Sequence, residues 1–305
     1  MLRPTGLIAA TFTPMHADGS LWLDRIEAVV EQLITRDIRG LYVCGSTGEG
    51  PLLTGDERRA VAEAYVAAAA GRVPVIVQVG HNSLAEAREL AAHAQAIGAD
   101  AISATPATYF RPNGIEAIID GMAHIAAGAP ELPFFYYHIP AITGVPVDIE
   151  ALMPAAAERV ATLAGVKFSA PTVFEFTNLD LDRFSALFGV DEMLLAGLTA
   201  GAHGAVGSTY NLIPELSAEV IAAVARRDLT SAVAMQRRAS AIIRILVRRH
   251  GLAAIKAAMA FTGIDVGPTR APLARLDEAA IEQLRGELAE AGALGAFQPG
   301  GQRAA

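Results

Sequence analysis

The stretch VIVQVGHNSLAEARELAAHAQAIGADAISAT, residues 75–105, carries the reading that decides the fold. Val75–Gly80 is short, β-branched and closed by a glycine, which predicts a buried strand rather than a helix. Ser83, with Glu86 three residues on, has the pattern of a capping box, and the helical spacing it opens runs to Ile97 and stops at Gly98. Ala101–Thr105 then predicts a second buried strand. Strand, helix and strand in that order make a parallel unit with the helix crossing over it.

The same alternation extends in both directions. Strands are predicted at Gly6–Thr13, Gly40–Gly45, Pro133–His138, Leu163–Ser169, Ser185–Val190 and Gly204–Thr209, which with the first two make eight. Helices are predicted at Leu23–Asp37, Thr54–Ala70 (opened by a second box, Thr54 with Glu57), Gly114–Ala127 and Asp148–Ala157. No GxGxxG turn follows the first strand, which favours a closed (β/α)8 barrel, the TIM barrel, over an open doubly wound sheet. Beyond the eighth strand, Pro214–Arg227, Thr230–His250, Gly251–Phe261 and Asp277–Ala291 predict more than one closing helix. The expected organisation is a barrel over 1–212, a C-terminal helical extension packed on it over 213–295, and a flexible tail over 296–305.

Composition narrows the function. Hydrophobic residues make up 52% and charged residues 18%, a chain that buries a large core. The net charge is −8 and basic residues gather no further than pairs such as Arg226-Arg227, so a nucleic-acid partner is not expected. The single cysteine, Cys44, excludes an internal disulfide and fits a reducing compartment. The N-terminus lacks a signal peptide's pattern, and no uncharged apolar run reaches the ~18 residues of a membrane span. A soluble, cytoplasmic protein is the expectation. The seven histidines show no ligand-like spacing, so no metal and no cofactor is expected, and no Gly-x-Ser-x-Gly elbow supports an acyl-transfer triad.

Of the 24 basic residues only two are lysines, Lys167 and Lys256. A lysine kept against that bias suggests a task that a permanently charged guanidinium cannot perform, namely losing a proton and attacking a carbonyl. Lys167 lies in the apolar strand Leu-Ala-Gly-Val-Lys-Phe-Ser, 163–169, where alternation puts it on one face with Ser169 and puts Val166 and Phe168 on the other. Lys256, in a helical stretch, reads as structural.

Barrel enzymes place their chemistry where strands end at the C-terminal face. The second strand runs into Gly45-Ser46-Thr47-Gly48-Glu49-Gly50, whose hydroxyls and backbone N–H groups suit a carboxylate, or make a plain turn. In the fifth, Tyr137 and His138 cannot both face inward; Tyr137 inward is a proton relay or a core aromatic. The seventh ends at Gly189-Val190-Asp191-Glu192, carboxylates able to accept from sugar hydroxyls and equally able to start a helix. Ser208 follows the eighth. An amine beside a phenol, with an anion cradle and a polyol-binding edge, points to Schiff-base carbon–carbon chemistry.

These residues resemble the pyruvate-dependent aldolases that include dihydrodipicolinate synthase and N-acetylneuraminate lyase. The likeness runs from Gly6 to about Asn211 and is greatest to the neuraminate lyase branch, through GSTGEG at 45–50, YYHIPAITG at 136–144, GVKFS at 165–169, FGVDE at 188–192 and GAVGSTYN at 204–211. The resemblance implies that Lys167 forms the imine with N-acetylneuraminate, that Ser46 and Thr47 hold its carboxylate, and that Tyr137 takes the C4 hydroxyl proton. It places Ser169, Gly189, Asp191, Glu192 and Ser208 on the sugar tail. It implies pyruvate and a keto-sugar acid as small-molecule partners, and a homo-oligomer, commonly a tetramer. Where the synthase branch has an Arg for a second carboxylate, this chain has Ile142, which disfavours an aldehyde bearing one. The segment Thr105–Pro112 carries one residue more than such lyases have; the family often sends an aromatic from this loop into a neighbouring subunit's site, and Tyr109 is the candidate. Two alternatives stand beside this reading: the same imine chemistry on another 2-keto-3-deoxy sugar acid, and a non-catalytic keto-acid binder, against which Lys167, Tyr137, Ser46 and Thr47 argue.

Overall fold

A computed structural model describes residues 2–298, apart from the side chain of Arg249. Eight parallel strands close into a barrel in sequence order: β1 (Gly6–Ala10), β2 (Gly40–Val43), β3 (Val75–Gln78), β4 (Ala101–Ala104), β5 (Phe134–His138), β6 (Leu163–Phe168), β7 (Ser185–Phe188) and β8 (Gly204–Gly207). β8 returns to pair with β1 from Gly6↔Gly204 to Ala9↔Gly207, so the sheet has no free edge. Every strand expected from the sequence is present, shortened by a few residues where its loop begins.

The helices are α1 (Ile26–Thr35), α2 (Gly55–Ala69), α3 (Leu84–Ala96), α4 (Ile115–Ala126), α5 (Pro140–Thr143), α6 (Ile149–Ala157), α7 (Val173–Thr177), α8 (Leu194–Thr199), α9 (Pro214–Ala225), α10 (Leu229–His250), α11 (Leu252–Ala257) and α12 (Glu278–Glu290). Three of them, α5, α7 and α8, are too short to leave a hydrophobic period; of these the sequence offered only α8, as the helix that Asp191 and Glu192 could start. The two capping signatures fare differently. At α2 the box is complete: Glu57 N–H donates to Thr54 Oγ1 at 3.2 Å and Thr54 N–H to Glu57 Oε2 at 2.9 Å. At α3 only half forms. Glu86 N–H donates to Ser83 Oγ at 3.4 Å, but the Glu86 carboxylate turns to Arg59 at 3.0 Å and Ser83 N–H donates to His81 Nδ1 instead.

Two apolar layers follow from strand alternation. Val43, Val77, Ile102, Phe134, Val166 and Phe188 face the helices, while Ile8, Tyr42, Ile76, Phe135, Tyr137, Leu187 and Val206 fill the barrel. A bulge on β6 breaks its alternation: Phe134 pairs with Leu163 and Phe135 with Gly165, leaving Ala164 over. Ala164 therefore faces inward with the barrel filling, and so does Lys167 three residues later. The C-terminal part packs closely: Phe297, within the tail expected over 296–305, is fully buried in a 3-10 turn at Leu294–Phe297, and the rest of that tail, 299–305, lies outside the described residues. No helix among the described residues is long and apolar enough to cross a membrane.

Candidate active site

Lys167 lies opposite Tyr137 on β5 and Leu187 on β7. Its side chain is buried, and Nζ lies 3.7 Å from the centroid of the Tyr42 ring and 3.9 Å from that of Tyr137. The two rings meet edge to face at 5.7 Å. Burial lowers the amine's pKa from its ordinary 10.5, opposed in lesser degree by the Tyr137 hydroxyl and the charge of Asp191. The ring faces favour the cation too, but desolvation outweighs them. Tyr42 OH donates to Ser103 Oγ at 3.0 Å, and Ser103 Oγ to the Phe135 carbonyl at 2.9 Å. Burial, then the neighbouring Tyr137, pushes the Tyr42 phenol well above its ordinary 10.0, so it stays neutral as a wall of the amine's pocket. Sequence reasoning passed over Tyr42 and Ser103; alternation from Val43 would have turned Tyr42 inward.

At the end of β2 the chain turns sharply. Cys44 and Glu49 both stand in the left-handed region, at φ 58° and 56°. Glu49 N–H donates to the Ser46 carbonyl and Gly50 N–H to that of Gly45, both at 3.1 Å, while Thr13 Oγ1 donates to the Gly48 carbonyl at 2.6 Å. The carbonyls are thus tied down, and the N–H groups of Ser46, Thr47 and Gly48 have no partner among the described residues. With the half-buried Ser46 and buried Thr47 hydroxyls they form a set of donors suited to a carboxylate. Burial pushes the Cys44 thiol up to about 11, which makes it inert. The turn is braced from beneath by Lys256, which the sequence marked only as structural: its Nζ donates to Glu49 Oε1 at 2.6 Å with both side chains fully buried.

On the opposite rim Asp191 opens a 3-10 turn before α8, and its carboxylate swings back over the barrel. Oδ2 accepts from Thr209 N–H at 2.9 Å and from its hydroxyl at 2.6 Å. Burial raises the Asp191 pKa from 3.8 to about 6, against the lowering effect of the Thr209 bonds. Ser169 Oγ is buried with no hydrogen-bond partner. A Cβ on Gly189 would come within 2.0 Å of that oxygen, so only glycine leaves room for it. Glu192 is exposed and Ser208 half-buried. The backbone at Glu192 is fixed by α10, where Gln236 Nε2 and Ser240 Oγ donate to its carbonyl at 3.1 and 3.0 Å.

His138 faces outward, as alternation required, stacked on Phe168 at 5.1 Å and pushed down to about 4 by burial. Tyr109 stands apart from this site: it is 80% exposed, its ring contact is with Phe110, and its loop is held by Asn82 Oδ1, which accepts from Thr108 and Tyr109 N–H. Among the described residues, no three His, Cys, Asp or Glu side chains are grouped to hold a metal. What the barrel mouth brings together is a buried amine, a phenol beside it, an oxyanion cradle on one rim and hydroxyl acceptors on the other.

The profile of the dihydrodipicolinate synthetase family matches residues 3–291. N-acetylneuraminate lyase A of Xenopus laevis is 40% identical over 277 residues, 89% of this chain and 91% of the relative. Among solved structures, the Proteus mirabilis N-acetylneuraminate lyase superposes with a TM-score of 0.92 at 36% identity, covering 95% of this chain and 99% of that one. A catalytic-lysine mutant of the Ruminococcus gnavus sialic acid aldolase superposes with a TM-score of 0.87 at 26% identity, covering 94% of this chain and 96% of that one.

Proposed function

We infer the function from one settled premise: this chain belongs to the dihydrodipicolinate synthetase family. It is a class I, imine-forming aldolase that cleaves N-acetylneuraminate reversibly to N-acetylmannosamine and pyruvate. The observation that carries this reading is Lys167, an ε-amine enclosed by two aromatic rings and without an ion pair among the described residues. An amine so placed keeps a neutral fraction at a pH where a surface lysine is charged, and can add to a ketone.

Lys167 attacks C2 of the open-chain sugar acid, and loss of water leaves a protonated imine. Ser46 and Thr47 hold the C1 carboxylate and so fix C2 against the amine. The Tyr137 hydroxyl lies on the Lys167 side of the barrel, and Tyr137 takes the proton of the C4 hydroxyl. As the C3–C4 bond breaks, its electron pair moves into the iminium to give the enamine, and C4 leaves as the aldehyde of N-acetylmannosamine. A proton returned to C3 and attack by water at C2 then release pyruvate and the free amine. Every atom is accounted for by substrate, protein and water, so the chemistry calls for no cofactor.

Ser169, Gly189, Asp191, Glu192 and Ser208 receive the hydroxyl-bearing tail in this reading. The unpartnered Ser169 oxygen supports it, as does the Asp191 oxygen Oδ1, which accepts no bond from the described protein. Ile142, 65% exposed on α5 just after Tyr137, offers nothing to pair a second carboxylate, which argues against a dihydrodipicolinate synthase-type aldehyde. The barrel of 1–212 and the helices of 213–295 act as one catalytic unit, in a cytoplasmic homo-tetramer whose Tyr109 loop reaches a neighbouring subunit. The test is a coupled assay for pyruvate release over N-acetylneuraminate, N-glycolylneuraminate and 2-keto-3-deoxy sugar acids. Release from N-acetylneuraminate at the highest kcat/KM is expected; release from a 2-keto-3-deoxy acid alone would move the substrate, and release from none would overturn the reading.

A further inference from the structure

The second of the chain's two lysines is as deeply placed as the first. Lys256 sits on α11 and is 1% exposed, and its Nζ donates to Glu49 Oε1 at 2.6 Å. Glu49, 2% exposed, accepts the backbone N–H of Arg270 on its other oxygen at 2.7 Å. Arg270 in turn donates to the carbonyls of Gly19 and Leu52 and grips Glu57, the N3 residue of α2, with both terminal nitrogens at 2.7 and 2.8 Å. The segment from Lys256 to Arg270 therefore straps the cradle of residues 45–50 from below.

Stability alone does not account for this arrangement. Taking a carboxylate and an ammonium fully out of water is costly, and a pair of packed apolar side chains in the same volume often does as well or better. What an ion pair of fixed geometry supplies instead is a defined position. The residue it positions needs one: Glu49 holds the left-handed conformation at φ 56°, which residues bearing a Cβ rarely adopt. Its N–H, through the Ser46 carbonyl, closes the turn that leaves the Ser46, Thr47 and Gly48 N–H groups without partners among the described residues. Both oxygens of the Glu49 carboxylate are used, so the side chain has no freedom to reach the ligand itself.

We propose that Glu49 and Lys256 are a positioning pair for the carboxylate cradle: the C-terminal helices, through Lys256, hold residues 46–48 in the turn that binds a 2-oxo acid's carboxylate. The proposal rests on the reading of that cradle given above. It assigns to the pair the affinity for the pyruvyl end of the substrate and no part in breaking the C3–C4 bond.

The test compares wild type with Lys256→Met and with the double variant Glu49→Gln/Lys256→Met, which leaves no orphaned charge. The readings are the pyruvate concentration that half-saturates borohydride trapping at Lys167, the fraction trapped at saturation, and inhibition of cleavage by N-acetylmannosamine. In both variants the half-saturating pyruvate rises by about tenfold, equal to about 1.4 kcal/mol, while the saturated fraction and the inhibition by N-acetylmannosamine change less than about twofold. A folded double variant with unchanged half-saturation overturns the proposal. So does a fall in the trapped fraction at constant half-saturation, the mark of a merely structural role. A double variant that does not fold also overturns it, since the pair would then serve the barrel. Failure of wild type to be trapped would instead refute the aldolase reading.

Discussion

The ammonium-forming nitrogen of Lys167 lies 3.7 Å from the centre of the Tyr42 ring, and the Tyr42 hydroxyl is turned away to Ser103 Oγ at 3.0 Å. The amine therefore meets a π face rather than a hydroxyl on that side, and the face also excludes water. Tyr42→Phe keeps the ring, and kcat/KM falls by less than about fivefold, a loss of under ~1 kcal/mol. Tyr42→Ala removes the wall: water reaches the amine, its pKa climbs toward 10.5, and the cavity costs about 3–5 kcal/mol of stability. The pH dependence of pyruvate trapping distinguishes the two, with the acid limb displaced upward in the Ala variant alone.

Lys167→Met abolishes imine formation and raises thermal stability. The folded amine has a lowered pKa, so between that value and the ordinary 10.5 the unfolded chain binds a proton that the native chain does not. Wild-type stability accordingly rises with pH across this window, and the Met variant lacks the term. Its advantage is greatest at acid pH, shrinks as pH rises and is gone above 10.5. Urea denaturation at several pH values measures it; a constant or growing difference would show that the amine is not buried.

Asp191 has the opposite sign. Its folded pKa of about 6 lies above the ordinary 3.8, so the native state keeps a proton that the unfolded state has released. This contribution is full below pH 3.8 and is lost as pH rises through 6. Asp191→Asn has no such dependence, and its stability relative to wild type improves over that window by on the order of 3 kcal/mol. Cleavage of N-acetylneuraminate shows an acid limb near pH 6 in wild type that is missing from the variant. Calorimetry at pH 4 and pH 8, with kcat/KM profiles, checks both statements.

Gly189→Ala sets a methyl group 2.0 Å from Ser169 Oγ and displaces it. Overpacking of this kind costs about 1–3 kcal/mol. On the sugar side the loss appears as a KM for N-acetylneuraminate higher by about tenfold or more, equal to ~1.4 kcal/mol per tenfold. The half-saturating pyruvate in trapping stays unchanged, since pyruvate has no tail. Parallel measurement of the two constants separates a tail contact from a general defect.

Strand positions were legible in the sequence because each carried its own signal: a β-branched or aromatic run such as Val75–Gly80, ended by Gly or Pro. The inward direction of Lys167 followed from alternation counted over 166–169, a span that begins after the bulge at Ala164. A count started at Leu163 would have relied on a phase that the bulge resets. The missing half of the box at Ser83 and Glu86 was hidden for another reason. Arg59, on the neighbouring helix α2, competes for the carboxylate, and no local pattern records a partner 27 residues away. Lys256 and Glu49 lie 207 residues apart, so each was readable only as a helix residue and a turn residue. Tyr42 was passed over, because nothing near it in sequence reveals the amine that folds against it.

The central claim is that Lys167 is the carbonyl-attacking amine. Its most direct measurement is borohydride reduction of the protein in the presence of pyruvate, followed by mass analysis of the peptides holding Lys167 and Lys256. The account predicts a mass increase of one reduced pyruvyl group on the Lys167 peptide, none on the Lys256 peptide, and none in Lys167→Met. A modified Lys256 peptide, or an unmodified Lys167 peptide at saturating pyruvate, would contradict it.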